Sequence, residues 1–453
     1  MKKISLVLSF AFIAVHLFFM PATGYALDTK NIYSDAAVLM DADTGQVLYD
    51  KNMHTRIYPA STTKIMTGIL AVEQCFPGEI LTVSSAAVNI DEPMSSNINL
   101  TPGEELTMDS AMYALMLPSA NDAANVIAEH VAGSQAQFAK MMTEKARLIG
   151  AVNTNFANAH GLHDPAHYTT AYDMALITRY AGGSSAFMRY FGADLYTMPA
   201  TNTYSAERSF SNYQYMLIKT SQFFNEDVIG GKVGYTTPAK HTMSTLATRD
   251  GRTLICVTMG SNNRNEKFYD TQKLLDFGFE EFTRVTVPKN DFGGLRVPVR
   301  QAGEPVGDVL FRPSADFTFL LHNSADIADV RFSYETPDYY DRDGVIQATV
   351  SLVAESGEER VPTVLMTSTL APEMHVRALP ASVAAGDVPK PVAVNLASIL
   401  IFGICATTLI VMIGAMRYHR VQKRRRARLA RMNRRLYGPS YESRTRQAAR
   451  TAR

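Results

Sequence analysis

The sequence predicts an α/β fold of the α+β kind, an antiparallel sheet flanked by helices, followed by a small all-β domain and a C-terminal transmembrane helix. Three observations carry this expectation. Strand-like segments stand at both ends of the first ~260 residues, with helical periodicity between them. Short runs punctuated by Gly and Pro extend from about Val285 to Leu370, and the run Leu396 to Met416 contains no charged residue. A chain of 453 residues suits two or three domains.

The elements follow in order. Met1-Lys2-Lys3, the apolar run Ile4 to Met20, then Pro21 and Gly24-Tyr25-Ala26 form a secretory signal, residues 1–26, with cleavage after Ala26. Ala36 to Met40 and Gln46 to Asp50 are apolar runs joined by Asp41-Ala42-Asp43-Thr44-Gly45, a hairpin pattern. A helical pattern begins near Ser61 with Ile65, Met66, Ile69, Leu70 and Val72, and others cover about Met108 to Leu117, Asp122 to Val131 and Gln135 to Ile149. Strands return around Lys232, from His241 to Thr248 and from Thr253 to Met259, with a turn at Arg249-Asp250-Gly251. One sheet closed by the two ends of a domain spanning 27–283 accounts for this order.

The all-β domain is assigned to 284–377, with strands such as Leu295 to Val299, Val330 to Tyr334 and Val345 to Val353. A Pro-containing linker, 378–395, leads to the span at 396–416. In the tail, 417–453, fourteen Lys and Arg face one acid, Glu442, a net +13 against −12 for the rest of the chain. That asymmetry excludes a nucleic-acid-binding body. The positive-inside rule puts the tail in the cytoplasm beside anionic lipid and the body outside, on a single-pass tether. Three cysteines are too few for a disulfide framework; Cys405 falls in the span, and Cys75 and Cys256 read as separately buried thiols, the alternative being a single bridge between them.

Chemistry concentrates in three places. Ser61-Thr62-Thr63-Lys64 sets a hydroxyl and an amine on one helical face, where a desolvated Lys64 can take the Ser61 proton. Ser119-Ala120-Asn121 lies between two helical patterns and can present a hydroxyl and an amide from a loop. Gly230-Gly231-Lys232-Val233-Gly234-Tyr235-Thr236 opens a strand whose glycines let a substrate backbone approach an edge, with Lys232 as a cation for a carboxylate.

With S-x-x-K, S-x-N and K-x-G in this order, the chain resembles the low-molecular-mass penicillin-binding proteins that are serine-type D-alanyl-D-alanine carboxypeptidases, over about Asp35 to Leu370. The resemblance implies a β-lactamase/penicillin-binding-protein-like fold and hydrolysis of the terminal D-alanine from peptidoglycan stem pentapeptides. Ser61 would be the nucleophile and Lys64 its base, with Ser119 and Asn121 relaying protons and placing substrate. The N–H groups of Ser61 and Tyr235 would form the oxyanion hole, and Lys232, Gly234, Tyr235 and Thr236 would line the substrate. It also implies covalent binding of β-lactam antibiotics and no metal or other cofactor. The pattern departs from the family at Val233, which stands where the K-T-G threonine commonly meets the terminal carboxylate. Thr236, or Arg264 in the loop Ser261-Asn262-Asn263-Arg264, offers compensation.

The alternatives are a β-lactamase, for which no E-x-x-L-N-type segment stands between Asn153 and Asp173, and a catalytically weak penicillin-binding scaffold, against which the intact catalytic residues argue. Endopeptidase activity stays open. His160, His163 and His167 with Asp164 look superficially like metal ligands, but Gly161 and Pro165 break any shared helical face. Asp173 reads as a residue that pins its loop or caps a helix.

Overall fold

The computed structural model describes residues 32–373, apart from 91, 93, 302–303, 339, 342–347 and 357–360. The signal, linker, span and tail read from the sequence lie outside the described residues. Among those described, no helix is long and apolar enough to cross a membrane.

The chain opens with the hairpin β1 (Ala36–Asp41) and β2 (Val47–Lys51). After a 3-10 turn at Ala60–Thr63 comes α1 (Lys64–Gln74), then β3 (Ile80–Thr82) and β4 (Glu105–Thr107), which pair with each other. Helices follow: α2 (Met108–Met116), α3 (Asn121–Ala132), α4 (Gln135–Leu148), α5 (Ala171–Gly182) and α6 (Ser185–Phe191). Four of these five starts are capped by hydroxyls, Thr107 accepting from Ser110 N, Ser134 from Gln137 N, Thr170 from Asp173 N and Ser184 from Phe187 N, whereas α3 follows Ala120 without a side-chain cap. A small hairpin, β5 (Leu195–Met198) and β6 (Arg208–Ser211), precedes the long strands β7 (Val228–Thr236), β8 (Lys240–Arg249) and β9 (Arg252–Ser261).

The central sheet is antiparallel in the order β2-β1-β9-β8-β7, so the strands from both ends of the domain do close one sheet. Side-chain alternation divides β1 between two cores. Ala36, Val38 and Met40 join the cluster under α1–α6, while Ala37 and Leu39 join a second cluster on the other face. That second face is covered by α7 (Glu266–Glu280), which inserts Phe268, Leu274 and Leu275. The loop expected at Ser261 to Arg264 precedes this helix, which the sequence analysis does not assign.

The all-β part begins with β10 (Phe282–Val287), followed by β11 (Leu295–Gln301), β12 (Glu304–Arg312), β13 (Phe317–His322), β14 (Val330–Glu335), β15 (Tyr340–Asp341), β16 (Ala348–Ser356) and β17 (Val361–Glu373). β10 pairs with β13, and the rest form a six-stranded sheet around a core that includes Phe311, Phe317, Phe319, Val350 and Leu352. Its tie to the central sheet is specific. The Gln46 amide donates to Leu320 O and accepts from Leu320 N, each at 2.7 Å, and Leu320 itself lies in the second core cluster.

Candidate active site

The 3-10 turn, not the α-helix, carries Ser61. Pro59 leads into Ala60, whose φ of 50° is left-handed backbone, and the turn delivers Lys64 as the first residue of α1. Lys64 is fully buried, and its Nζ donates to Ser61 Oγ at 3.1 Å, Asn121 Oδ1 at 2.6 Å and His160 O at 2.7 Å. Burial first, then the charge of Lys232, hold its amine well below the ordinary lysine range, against an opposing pull from Asp122. With its two N–H groups donated to Asn121 Oδ1 and His160 O, the neutral amine keeps its lone pair for the Ser61 hydroxyl proton.

Ser119 also has left-handed backbone, φ 64°, and its hydroxyl is buried without a hydrogen-bond partner among the described residues. An unpaired buried hydroxyl at the floor of a cleft is costly unless something arrives to use it. Asn121, the first residue of α3, donates from Nδ2 to Ser95 Oγ at 2.9 Å and from its backbone to Ser96 O at 2.8 Å. The next residue, Asp122, collects the backbone N–H groups of Ile98, Leu100 and Ala123. This carboxylate ties the 95–100 loop to the helix that orients Asn121.

β7 is the sheet edge on the other side. Gly234 permits its approach to the serine turn: a Cβ there would lie 2.7 Å from Ser61 N and 3.0 Å from Ala60 Cβ. Gly161, at φ 90°, closes the turn from the third side, since a Cβ on it would lie 1.9 Å from Ala60 O. Lys232 is buried rather than a solvated edge charge, and burial lowers its amine to about 7.

A cleft of about 690 Å3 holds Ser61, Ser119, Asn121, Gly234, Tyr235 and Thr236 on its walls, together with Val233 and Arg264. Val233 packs toward the second core cluster. Thr236 Oγ1 accepts from Ala239 N at 3.2 Å. Arg264 is exposed, donates to the Tyr215 hydroxyl and lies over that ring. Beside it stand two cleft residues that the sequence reading missed. Lys267 is buried, donates to Arg264 O at 2.7 Å, and is lowered to about 8 by burial and by Arg264. His241 stacks on Tyr235 with ring centroids 4.5 Å apart, and burial followed by the charges of Lys267 and Arg264 pushes it down to about 4. Two basic side chains, Arg264 and Lys267, thus line the cleft together with Val233.

The remaining flagged residues support the loops. His167 Nδ1 accepts from Ala157 N at 3.1 Å, so its Nε2 donates to Thr63 Oγ1 at 2.8 Å. His160 Nδ1 accepts from Leu162 N, and His163 packs edge-on against Tyr58. Burial pushes His160 down to about 3 and His167 to about 4. Asp173 accepts from Asn153 N and Thr154 Oγ1, both at 2.7 Å, which pins the loop as its position suggests.

Comparison with known proteins decides the family. Residues 23–263, more than half of the chain, match the Peptidase S11 model, D-alanyl-D-alanine carboxypeptidase. The chain belongs to this family. Among curated S11-type relatives it is 31% identical to the D-alanyl-D-alanine carboxypeptidase DacF of Bacillus subtilis over 67% of this chain and 76% of that protein. It is 29% identical to DacC of Escherichia coli over 61% of this chain and 69% of that one. Among solved structures, penicillin binding protein 5 of Haemophilus influenzae superimposes with a TM-score of 0.60 at 23% identity, covering 75% of this chain and 96% of that chain. The Streptomyces K15 DD-transpeptidase gives 0.51 at 28% identity, covering 55% and 97%. The α/β fold with its antiparallel sheet is thus that of the penicillin-binding proteins.

The S11 chain's missed residues had faint signals. His241 faces Tyr235 across the β7–β8 register, a position found only by counting the turn between the strands. Lys267 is the second residue of α7, close enough to Arg264, just before the helix, for its amine to reach that residue's carbonyl once the helix is known to start at Glu266. Ser95, Ser96 and Asp122 carry no motif of their own.

Proposed function

We infer that this chain is a serine-type D-alanyl-D-alanine carboxypeptidase that removes the terminal D-alanine from peptidoglycan pentapeptides and is acylated by β-lactams. The observation that carries the reading is the buried Lys64 amine, 3.1 Å from Ser61 Oγ and depressed by its surroundings toward the neutral form. Ser61 Oγ attacks the carbonyl carbon of the penultimate D-alanine while Lys64 Nζ takes its proton. The oxyanion is met by the N–H groups of Ser61 and Tyr235. The C–N bond then breaks, and the proton passes from Lys64 through the Ser119 hydroxyl to the leaving amine. Water, deprotonated by Lys64, hydrolyses the acyl-enzyme and returns Ser61 to its hydroxyl form. Asn121 orients both Lys64 and the substrate amide, Lys232 keeps the field at Ser119 positive, and Gly234, Thr236 and Arg264 receive the peptide's carboxyl end.

The reading extends to location. Residues 1–26 are an export signal, 27–283 the catalytic domain, 284–377 the all-β domain, and 396–416 a single membrane span that leaves the enzyme outside and the Arg-rich 417–453 in the cytoplasm. Support comes from the charge pattern and from a substrate class that lies outside the membrane. Mass spectrometry of pentapeptide products tests the activity: loss of one alanine by the wild type, none by Ser61→Ala, and a penicillin adduct mapped to Ser61. An adduct on another residue overturns the assignment. Protease added to intact cells tests the topology, with removal of the body and survival of the tail expected.

A further inference from the structure

Three metal-binding side chains converge at the ends of two helices opposite to the ends that furnish the cleft. Cys75 caps the C-terminus of α1, whose first residue is Lys64, and His130 lies in the last turn of α3, whose first residue is Asn121. Glu79 stands in the short loop between α1 and β3. The Cys75 Sγ, a Glu79 carboxylate oxygen and a His130 ring nitrogen all lie within 4.8 Å of one another, with His130 Nε2 2.9 Å from Glu79 Oε2. Among the described residues, no other three His, Cys, Asp or Glu side chains are gathered this way. With α1 about 16 Å long, the group is remote from Ser61.

We propose that Cys75, Glu79 and His130 bind one divalent cation of the zinc class, which staples the far ends of α1 and α3. The donor set chooses the ion. Calcium and magnesium take oxygen shells, whereas one sulfur, one imidazole nitrogen and one carboxylate oxygen suit tetrahedral zinc with water as the fourth ligand. Bonds of about 2.0–2.3 Å put tetrahedral ligand atoms about 3.3–3.7 Å apart, which small rotations of these partly exposed side chains reach. The backbones that carry them are already held. Cys75 N donates to Ala71 O at 3.0 Å and Met108 N to Glu79 O at 2.8 Å. Phe76 N donates to Glu79 Oε1 at 2.7 Å, which turns Oε2 toward His130, the oxygen that the ion would share with the imidazole. Both helices also present their negative C-terminal ends here, which favours a cation. As the sulfur–metal bond forms the thiol proton leaves to solvent, and no oxidant or reductant is needed.

Cobalt is the probe. The full-length protein, stripped with chelator and titrated with Co2+, should bind one ion per chain with a near-ultraviolet thiolate-to-cobalt band that Zn2+ displaces. Zn2+ should raise Tm by several degrees at saturating concentration. Cys75→Ser and His130→Ala should each abolish the band and weaken binding at least about tenfold, with unchanged circular dichroism reporting that the variants fold. Cobalt binding without a thiolate band, a band that persists in Cys75→Ser, or an equal rise in Tm in both variants overturns the proposal and leaves Glu79 and His130 as a plain surface ion pair.

Discussion

Gly234 meets the backbone nitrogen of Ser61 so closely that a Cβ on the glycine would lie 2.7 Å from that nitrogen. The contact fixes the separation between the serine turn and the β7 edge, and with it the gap between the two N–H groups proposed to hold the oxyanion. Gly234→Ala places its methyl carbon 2.6 Å from Thr242 Oγ1 as well, so the strand must recede from the turn. Loss of one aligned donor costs about 10²–10³ in rate. Stopped-flow acylation by a fluorescent penicillin should show a fall of that size, with a folded protein by circular dichroism; a variant within threefold of wild type contradicts the oxyanion assignment.

Acylation should depend on pH through Lys64. Below its folded pKa the amine is protonated and cannot accept the Ser61 proton, so the acylation rate rises with pH along the acid limb. Lys232 is a like charge that depresses Lys64. Lys232→Met removes it, makes Lys64 easier to protonate, and should move the acid limb to higher pH; a limb that stays put means that another group titrates. Stability follows the same bookkeeping. Lys232 has a folded value of about 7 against 10.5 for the free side chain. Between those values the unfolded chain binds more protons, so wild-type stability relative to Lys232→Met should climb with pH at up to ~1.4 kcal/mol per unit and flatten below pH 7. Urea midpoints across pH 6–9 check this.

The central sheet was legible because β1 and β9 are runs of apolar residues and the turn Arg249-Asp250-Gly251 joins β8 to β9, and α1 to α4 were legible because their apolar stripes repeat at 3.6 residues. The site was legible where motif spacing is short, as in Ser61 to Lys64. What escaped was contact made by folding alone. Nothing in the residues around Asp122 says that its carboxylate gathers N–H groups from a loop more than twenty positions upstream. Likewise, the buried amine of Lys267 reads from sequence as one more exposed charge of a polar segment, and only the packing of α7 on the sheet turns it toward the cleft. The helical start expected at Ser61 is a 3-10 turn because the left-handed Ala60 precedes it, and backbone handedness at a non-glycine residue leaves no trace in composition.

The tie between the central sheet and the all-β part should be measurable. Gln46 satisfies both backbone groups of Leu320, and Gln46→Leu leaves a buried N–H and C=O unpaired. The expected loss is about 2–4 kcal/mol. Thermal denaturation should reveal it, while penicillin acylation at 25 °C stays near wild type because the cleft lies elsewhere on the sheet. An unchanged Tm means that Leu320 finds other partners.

The Arg264 and Lys267 side chains that line the cleft yield the sharpest test of substrate recognition. Val233 packs against the core cluster that includes Phe268, the residue next to Lys267, and lines the cleft together with Arg264 and Lys267, so the position where the family threonine stands is expected to share a carboxylate with those two cations. A carboxylate seated there meets two positive side chains and the methyl groups of Val233. Val233→Thr should therefore add one hydrogen bond worth roughly 1–3 kcal/mol and raise kcat/KM for pentapeptide by about 5–100-fold. Arg264→Ala and Lys267→Met should each raise KM about tenfold or more with little change in kcat, because they hold the substrate's end and not its reacting carbon. A C-terminally amidated pentapeptide separates this from general damage: it carries no charge for the pair to read, so all three variants should hydrolyse it at nearly the wild-type rate. If Val233→Thr is neutral while Arg264→Ala and Lys267→Met impair only the free acid, the cation pair has taken over the threonine's task. If the three are neutral on both peptides, the carboxylate is read elsewhere in the cleft, and Lys232 becomes the residue to replace.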